Sequence, residues 1–264
     1  MKELFIRTIT GISLIILVIG SILLGPVPFL VIILLIYGLG LKELFSVYHQ
    51  GRFLPRMVMA VSAGFLLPIT FAALEFQWSL LWFILPAAGW LIGILWSGFS
   101  ITGMLIFFWL AIPLTSFYTL GWVGEVTDYH AFLPLSVIAL VWINDTFAYL
   151  VGSLIGKHKM TPRLSPGKTW EGFAGGILFT LLGGWIIFRI SGLYTMGNWI
   201  LFSLIVGTVG LMGDLFESNL KRKMNVKNMG GLLPGHGGVL DRFDSLLLVA
   251  PAVVILMIMI SLTK

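Results

Sequence analysis

Residues 241–262 read DRFDSLLLVAPAVVILMIMISL, and this stretch indicates the fold class of the whole chain. Its charged side chains all lie in the first four residues, and residues 245–262 carry none. A helix needs about 20 mostly apolar residues to cross the hydrocarbon core of a bilayer. The stretch therefore predicts a transmembrane helix that begins beside a charged, polar loop.

The remainder of the chain has the same character. Of its 264 residues, 58% are hydrophobic and only 10% are charged, and the mean hydropathy is +1.03. Soluble domains carry about 25% charged residues, which is enough for a polar face on every element. By the length criterion there are about nine candidate spans, near residues 5–24, 27–47, 57–74, 79–97, 101–122, 132–155, 172–190, 198–217 and 241–262. The sequence therefore predicts an all-α, polytopic integral membrane helix bundle with about nine transmembrane helices.

We expect one integral membrane domain over residues 1–264, because no segment has the composition of a soluble domain. Residues 1–130 supply N-terminal spans, and residues 131–264 supply spans with two long polar loops. These loops read GKHKMTPRLSPGKTWEG (156–172) and KRKMNVKNMGGLLPGHGG (221–238). The first apolar run is too long for a signal peptide and no small-residue cleavage site follows it, so we expect a retained transmembrane helix.

Basic residues divide unequally between the two sides of the predicted bundle. With nine spans and a cytoplasmic N-terminus, all of the 16 basic residues except Arg189 and Lys264 fall on the cytoplasmic side. Both long polar loops fall there too. We therefore expect a multi-pass protein of the inner (plasma) membrane with a cytoplasmic active site. The net charge of +5 then reflects orientation and lipid headgroups rather than nucleic acid, and the lack of cysteine excludes thiolate chemistry.

Carboxylates within the predicted spans indicate a functional site, since a charge at the bilayer centre costs roughly 2.5–3.5 kcal/mol on insertion scales. The acids at membrane depth or at span ends are Asp145, Asp214, Glu217, Asp241 and Asp244. Salt bridges to nearby basic residues are the structural alternative for each one. Because acids from two helices converge on one polar loop, the cluster favours a Mg²⁺ site, in which one or two carboxylates act together with substrate phosphates.

The segment PGHGG (234–238) stands just before the last predicted helix. Glycines expose backbone N–H groups and a helix N-terminus adds partial positive charge, so such a segment is typical of an anion site. A tight turn is the alternative, and His236 alone is more often structural. Basic side chains flank the segment and fill the other loop: Lys221, Arg222, Lys223, Lys227, Lys157, Lys159, Arg163 and Lys168. Membrane orientation and contact with anionic lipid are the alternative explanation for this set.

Taken together, these residues resemble the signature of the phosphatidate cytidylyltransferase (CDP-diacylglycerol synthase) family. The matching positions are Ser218-x-x-Lys221-Arg222, then Lys227, then Pro234-Gly235-His236-Gly237-Gly238-x-x-Asp241-Arg242-x-Asp244. Upstream matches are Asp145-Thr146-x-Ala148-Tyr149, Gly156-Lys157 and Ser165-Pro166-x-Lys168-Thr169-Trp170-Glu171-Gly172. The resemblance covers about residues 142–245. One position departs from the pattern, because Asn228 stands where the family has Asp, which puts a metal or base role for this position in doubt.

The resemblance implies transfer of CMP from CTP to phosphatidate, giving CDP-diacylglycerol and pyrophosphate. It implies Mg²⁺ held by Asp214 and Asp241, and a second cation would fit a paired-metal scheme. The catalytic residues that it implies are Asp214, Asp241, Lys227, Arg242 and His236. The substrate-binding residues that it implies are Ser165, Lys168, Ser218, Lys221, Arg222, Gly235, Gly237, Gly238, Asp145 and Asp244. The expected partners are CTP, phosphatidate entering sideways from the inner leaflet, and membrane lipid; a homodimer is left open.

Two other functions remain as alternatives. A CTP-dependent polyprenol or phytol kinase would have a similar architecture, but the spacing from PGHGG to Asp241-Arg242 favours the cytidylyltransferase. An ion-coupled transporter would use Asp145, Asp214 and Asp241 as an ion pathway. Transporters usually show inverted repeats with polar groups at the midplane, whereas these acids gather at one face.

Overall fold

The computed structural model describes residues 2–48, 53–77, 79–97, 101–123, 128–233, 235 and 237–262. Its helices are α1 (Lys2–Leu24), α2 (Pro26–Val47), α3 (Phe53–Gly64), α4 (Leu66–Glu75), α5 (Ile84–Ser97), α6 (Ile101–Met104), α7 (Ile112–Thr119), α8 (Phe132–Ile155), α9 (Trp170–Ser191), α10 (Met196–Lys223) and α11 (Leu240–Leu262). A 3₁₀ turn (Leu80–Phe83) precedes α5, and a π-helical segment (Leu105–Ala111) joins α6 to α7. Two short strands, β1 (Lys159–Thr161) and β2 (Ser165–Thr169), connect α8 to α9.

The predicted all-α membrane bundle is confirmed. Within the described residues, seven helical stretches are long and apolar enough to cross a bilayer: Pro26–Val47, Phe53–Glu75, Ile101–Thr119, Phe132–Ile155, Trp170–Ser191, Met196–Lys223 and Leu240–Leu262. Two shorter apolar helices, Thr8–Leu24 and Leu81–Trp96, coincide with the predicted first and fourth spans. Large apolar side chains such as Ile190 and Leu262 are each 80% exposed on the outside of the bundle, as lipid contact requires.

The third predicted span, residues 57–74, is divided between two helices. The break between α3 and α4 lies at Phe65, whereas Pro68 lies inside α4. Proline is tolerated in a first helical turn because the backbone N–H groups there lack helical acceptors. Pro68 therefore leaves α4 intact.

Helices α8, α9, α10 and α11 pack closely through small residues. A Cβ on Gly172 of α9 would lie 2.6 Å from the Ala148 carbonyl oxygen of α8, and one on Gly213 of α10 would lie 2.6 Å from the Asp244 carbonyl oxygen of α11. Glycine permits this approach, as is common where membrane helices cross. The consequence is that polar residues at the ends of four helices lie near one another.

The two strands form an antiparallel hairpin in which Lys159 pairs with Thr169. Thr169 ends the hairpin and begins α9, because its buried hydroxyl accepts a hydrogen bond from the Gly172 N–H at 3.1 Å. Such a side-chain cap satisfies one of the free donors at a helix start. The hairpin is therefore tied directly to α9, and the predicted polar loop is a structured element.

Candidate functional site

A cavity of about 680 Å³ lies between the hairpin and the ends of α8, α9, α10 and α11. Its polar lining residues are Asn144, Asp145, Tyr149, Ser153, Lys159, Ser165, Lys168, Thr169, Asp214, Asp244 and Ser245. Five of the predicted substrate or metal residues thus share one cavity wall: Asp145, Ser165, Lys168, Asp214 and Asp244. The cavity is large enough for a nucleotide-sized ligand.

Lys168 joins the hairpin to α10 across this cavity. Its ammonium nitrogen lies 2.6 Å from Oδ2 of Asp214, and Ser218 donates a hydrogen bond to Oδ1 of the same carboxylate at 3.3 Å. The side chains of Lys168 and Asp214 are 20% and 33% exposed, so the pair is reachable from the cavity. Because the lysine side chain is flexible, an incoming metal ion or substrate phosphate could displace Lys168 from the predicted metal ligand Asp214.

Lys221 links the other predicted metal ligand to α10. Its ammonium donates to Oδ1 of Asp241 at 2.8 Å and to Oε1 of Glu217 at 3.0 Å. Glu217 is fully buried, and its second oxygen has no hydrogen-bond partner among the described residues. Lys221 therefore compensates two carboxylates from neighbouring helices at once.

The carboxylate of Asp241 also organises the glycine-rich segment before α11. Its Oδ2 accepts the N–H of Gly238 at 2.8 Å and the N–H of Met229 at 3.0 Å. Together with Lys221, these bonds occupy both oxygens of a side chain that is only 5% exposed. Asp241 is therefore a structural anchor of the segment in this conformation, which the sequence did not indicate.

Among the described residues, Leu233 and Gly237 are joined across the PGHGG segment. Leu233 donates its N–H to the Gly237 carbonyl at 2.9 Å, and both Gly235 (φ 77°) and Gly237 (φ 84°) adopt left-handed conformations that favour glycine. Pro234 and the predicted catalytic residue His236 lie outside the described residues. The turn explains the glycines at 235 and 237 by backbone geometry alone.

Three of the five cations predicted as site residues are not paired with a carboxylate in the described part of the chain. Arg222, Lys227 and Arg242 are exposed and make no ion pair within the part of the chain that the structure describes. Arg242 differs from the other two because it borders a second, apolar cleft. An unpaired cation near an apolar surface is suited to a phosphate that carries acyl chains.

This apolar cleft lies between α1, α8 and α11. Leu14, Val18 and Trp142 line it, and it shares Asp145 and Asp244 with the large cavity. The polar cavity and the lipid-facing cleft therefore meet at the same two carboxylates. A polar reactant and a lipid reactant could meet there.

The cavity is lined by carboxylate and hydroxyl oxygens, and oxygen ligands are the kind that Mg²⁺ prefers. Among the described residues, no three acidic or histidine side chains converge closely enough to hold a metal alone. Mg²⁺ commonly uses one or two carboxylates and takes its remaining ligands from water and substrate phosphates. Asp214 on the cavity wall meets that requirement. The other predicted ligand, Asp241, is not among the residues that line the cavity, and Lys221 and two backbone N–H groups hold its oxygens.

Sequence analysis did not identify Glu43, which is 2% exposed and lies at the end of α2. Its carboxylate accepts the N–H groups of Val239 and Leu240 at 2.7 and 2.9 Å. Glu43 is an acid inside the predicted span of residues 27–47, so the criterion that selected Asp145 would also have selected Glu43. Glu43 therefore brings the N-terminal half of the chain to the site.

The sequence of this chain is similar to those of known proteins. The model of the cytidylyltransferase family matches residues 5–260. The chain is 46% identical over 126 residues to a phosphatidate cytidylyltransferase of Staphylococcus epidermidis (strain ATCC 12228), and 47% identical over 130 residues to one of Staphylococcus aureus (strain COL). Each match covers 47% of this chain and 48% of the relative, so the chain spans about half the length of these curated relatives in alignment.

Proposed function

The chain belongs to the cytidylyltransferase family, and we propose on that premise that it transfers CMP from CTP to phosphatidate. A phosphate oxygen of phosphatidate forms a bond to the α-phosphorus of CTP. The bond from that phosphorus to the α,β-bridging oxygen breaks, and pyrophosphate leaves with the bonding electrons. The lipid product is CDP-diacylglycerol.

The observation that carries this proposal is the junction of the polar cavity with the apolar cleft at Asp145 and Asp244. The polar side, bordered by Lys168 and Ser165, suits a nucleotide. The apolar side, bordered by Trp142, suits acyl chains that remain in the bilayer. A reaction between a nucleotide and a lipid phosphate needs both environments at one point.

Charge repulsion between two anions is the main obstacle to this reaction, and the chain supplies cations against it. Lys168 extends over the cavity from the hairpin and would contact the triphosphate after leaving Asp214. Arg222 and Lys227 would hold phosphates of the nucleotide near the glycine-rich turn, together with His236. Arg242, at the apolar cleft, would hold the phosphate of phosphatidate.

We propose Mg²⁺ as the cofactor, held by Asp214 and Asp241, with room for a second cation between the substrate phosphates. A bound Mg²⁺ would neutralise phosphate charge and orient the triphosphate. In the structure a lysine ammonium neutralises each of these two carboxylates. Substrate binding would therefore exchange Lys168 and Lys221 from carboxylates to phosphates.

The proposed location is the inner (plasma) membrane with the site on the cytoplasmic side, where CTP is available. The cavity is bordered by the hairpin, α10 and α11, and seven of the chain's 16 basic residues lie on the hairpin, at the end of α10 and at the start of α11. Phosphatidate would enter from the inner leaflet through the apolar cleft. The cavity is built within one chain, so a homodimer would hold two such sites.

The test is the identity of the product released from CTP by purified protein in detergent. We expect pyrophosphate release that depends on phosphatidate and Mg²⁺ and stops when the metal is chelated. A lipid kinase would instead release CDP in the presence of a polyprenol, and a transporter would release neither. Release of CDP, or of nothing, would contradict the proposed reaction.

A further inference from the structure

Glu43 stands far from the signature residues in sequence but is built into their backbone. Its Oε1 accepts the Val239 N–H at 2.7 Å and its Oε2 accepts the Leu240 N–H at 2.9 Å. These donors lie at the start of α11, where the helix dipole favours a negative charge. A carboxylate that is 2% exposed is costly unless it is hydrogen-bonded, and here each oxygen has a partner.

The glycine-rich segment wraps around this carboxylate on two sides. A Cβ on Gly230 would lie 2.6 Å from Oε1 of Glu43, and a Cβ on Gly238 would lie 2.7 Å from Oε2. Neither glycine has a positive φ, so the need for glycine at these two positions is steric. A Cβ on the adjacent Gly231 would meet nothing within 4 Å. A Cβ would therefore clash with Glu43 at positions 230 and 238 but not at position 231.

Glu43 and Asp241 hold the segment together from opposite ends of the chain. Asp241 accepts N–H groups from Met229 and Gly238, while Glu43 accepts the next two along the chain. These four bonds hold the backbone at residue 229 and at residues 238–240. Glu43 itself is not part of the cavity wall, so any effect on the reaction passes through this segment.

We infer that Glu43 is a positioning residue that fixes the backbone of residues 237–240, at the start of α11, for binding the phosphates of the nucleotide. This inference rests on the proposed function, in which the segment and the adjacent Lys227 hold the triphosphate. Without the carboxylate the start of α11 loses two acceptors and the segment samples other conformations. Affinity for CTP then falls, while the apolar side of the site, at Trp142 of α8, keeps its geometry.

The experiment compares Glu43→Gln with Glu75→Gln in the full-length protein. Glutamine keeps the shape of the side chain but turns a donor group toward one of the two N–H groups. We expect KM for CTP to rise about tenfold or more, while KM for phosphatidate changes by less than about twofold. We also expect faster amide hydrogen exchange in residues 237–240. Glu75 is exposed at the end of α4, so its variant should match wild type in both measurements.

A second pair of variants tests the same contact without removing the carboxylate. Gly230→Ala places a methyl group against Glu43 and should reproduce the rise in KM for CTP and the faster exchange. Gly231→Ala, its neighbour, should leave both unchanged. This pair also decides the question if Glu43→Gln fails to fold.

The inference is overturned if the folded Glu43→Gln and Gly230→Ala proteins keep wild-type KM values for CTP. A lower yield or melting temperature with unchanged KM has the same meaning, because it shows a purely structural contact. If the wild-type protein releases no pyrophosphate from CTP, the proposed function fails instead. Hydrogen exchange then still reports whether Glu43 holds the segment.

Discussion

The two carboxylates expected to bind metal occupy different environments. Asp214 is one-third exposed on the cavity wall, and its carboxylate is paired with Lys168 and accepts a hydrogen bond from Ser218. Asp241 is almost completely buried and is bonded to Lys221 and to two backbone N–H groups. We therefore expect Asp214 to act mainly in catalysis, and Asp241 to act both in catalysis and in holding the backbone.

This difference predicts distinct outcomes for the two Asp→Asn variants. Asp214→Asn should lower kcat by about 10³-fold or more, since a ligand that neutralises phosphate charge is lost. Its melting temperature in detergent should stay close to that of wild type. Asp241→Asn should lose activity and also melt several degrees lower, because Lys221 loses one of its two buried carboxylate partners. The measurements are kcat and thermal unfolding for both variants.

Equal melting temperatures for the two variants would contradict the structural role of Asp241. Near-wild-type activity in Asp214→Asn would show that the metal is held elsewhere. Asp145 and Asp244, which line the same cavity, would then become the candidate ligands.

At the scale of secondary structure, the close packing of α8 against α9 positions the hairpin over the cavity. Gly172 lies at this crossing, where a Cβ would be 2.6 Å from the Ala148 carbonyl oxygen and 3.0 Å from the Gly152 Cα. Backbone atoms cannot move aside as a flexible side chain can. The start of α9, and with it the Thr169 cap, therefore depends on glycine at this position.

Gly172→Ala should consequently destabilise the protein by about 1–3 kcal/mol through overpacking. Gly167→Ala, at the hairpin, should have little effect on stability because a Cβ there meets nothing within 4 Å. Thermal or chemical unfolding of the two variants in the same detergent measures the difference. Equal stability of the two proteins would mean that α8 and α9 are separated more widely than the structure has them.

The sequence predicted the helices better than it predicted the connections between them. A bilayer requires long apolar helices, so hydropathy alone located stretches such as Pro26–Val47 and Leu240–Leu262. The hairpin was missed because its strands are short and polar and contain Pro166 and Gly167. Glu43 could have been selected as an acid within a predicted span, but its contacts could not be inferred, because its partners are backbone N–H groups 196 and 197 residues away.

The signature residues could be selected from sequence, but their contacts could not. The grouping of Asp145, Lys168 and Asp214 in one cavity agrees with their selection. The bonds of Asp241 to Met229 and Gly238 could not be inferred, because any residue type can supply a backbone N–H.

At the scale of the whole molecule, a common active site requires both polar loops to lie on one side of the membrane. The Lys168–Asp214 contact joins the hairpin to the end of α10, and the Glu43 contacts join the end of α2 to the start of α11. From the basic-residue asymmetry we expect all these ends to lie on the cytoplasmic side. A shared cavity and the positive-inside rule thus lead to the same topology.

Reporter fusions within residues 156–168 and 224–233 should therefore both report a cytoplasmic location. A fusion within residues 192–195, between α9 and α10, should report the opposite side, as should one after Lys264. Alkaline phosphatase and fluorescent protein reporters in intact cells provide the measurement. Opposite locations for the first two fusions would exclude a common active site.

The central claim is that one site transfers the cytidylyl group to a lipid, and the position of a radioactive label tests it most directly. Purified protein is incubated with phosphatidate, Mg²⁺ and CTP labelled at either the α- or the γ-phosphorus, and lipid is extracted. We predict labelled lipid from α-labelled CTP only, and none from the Asp214→Asn protein. Labelled lipid from γ-labelled CTP, or lipid labelling equal in the wild type and the variant, would contradict the account.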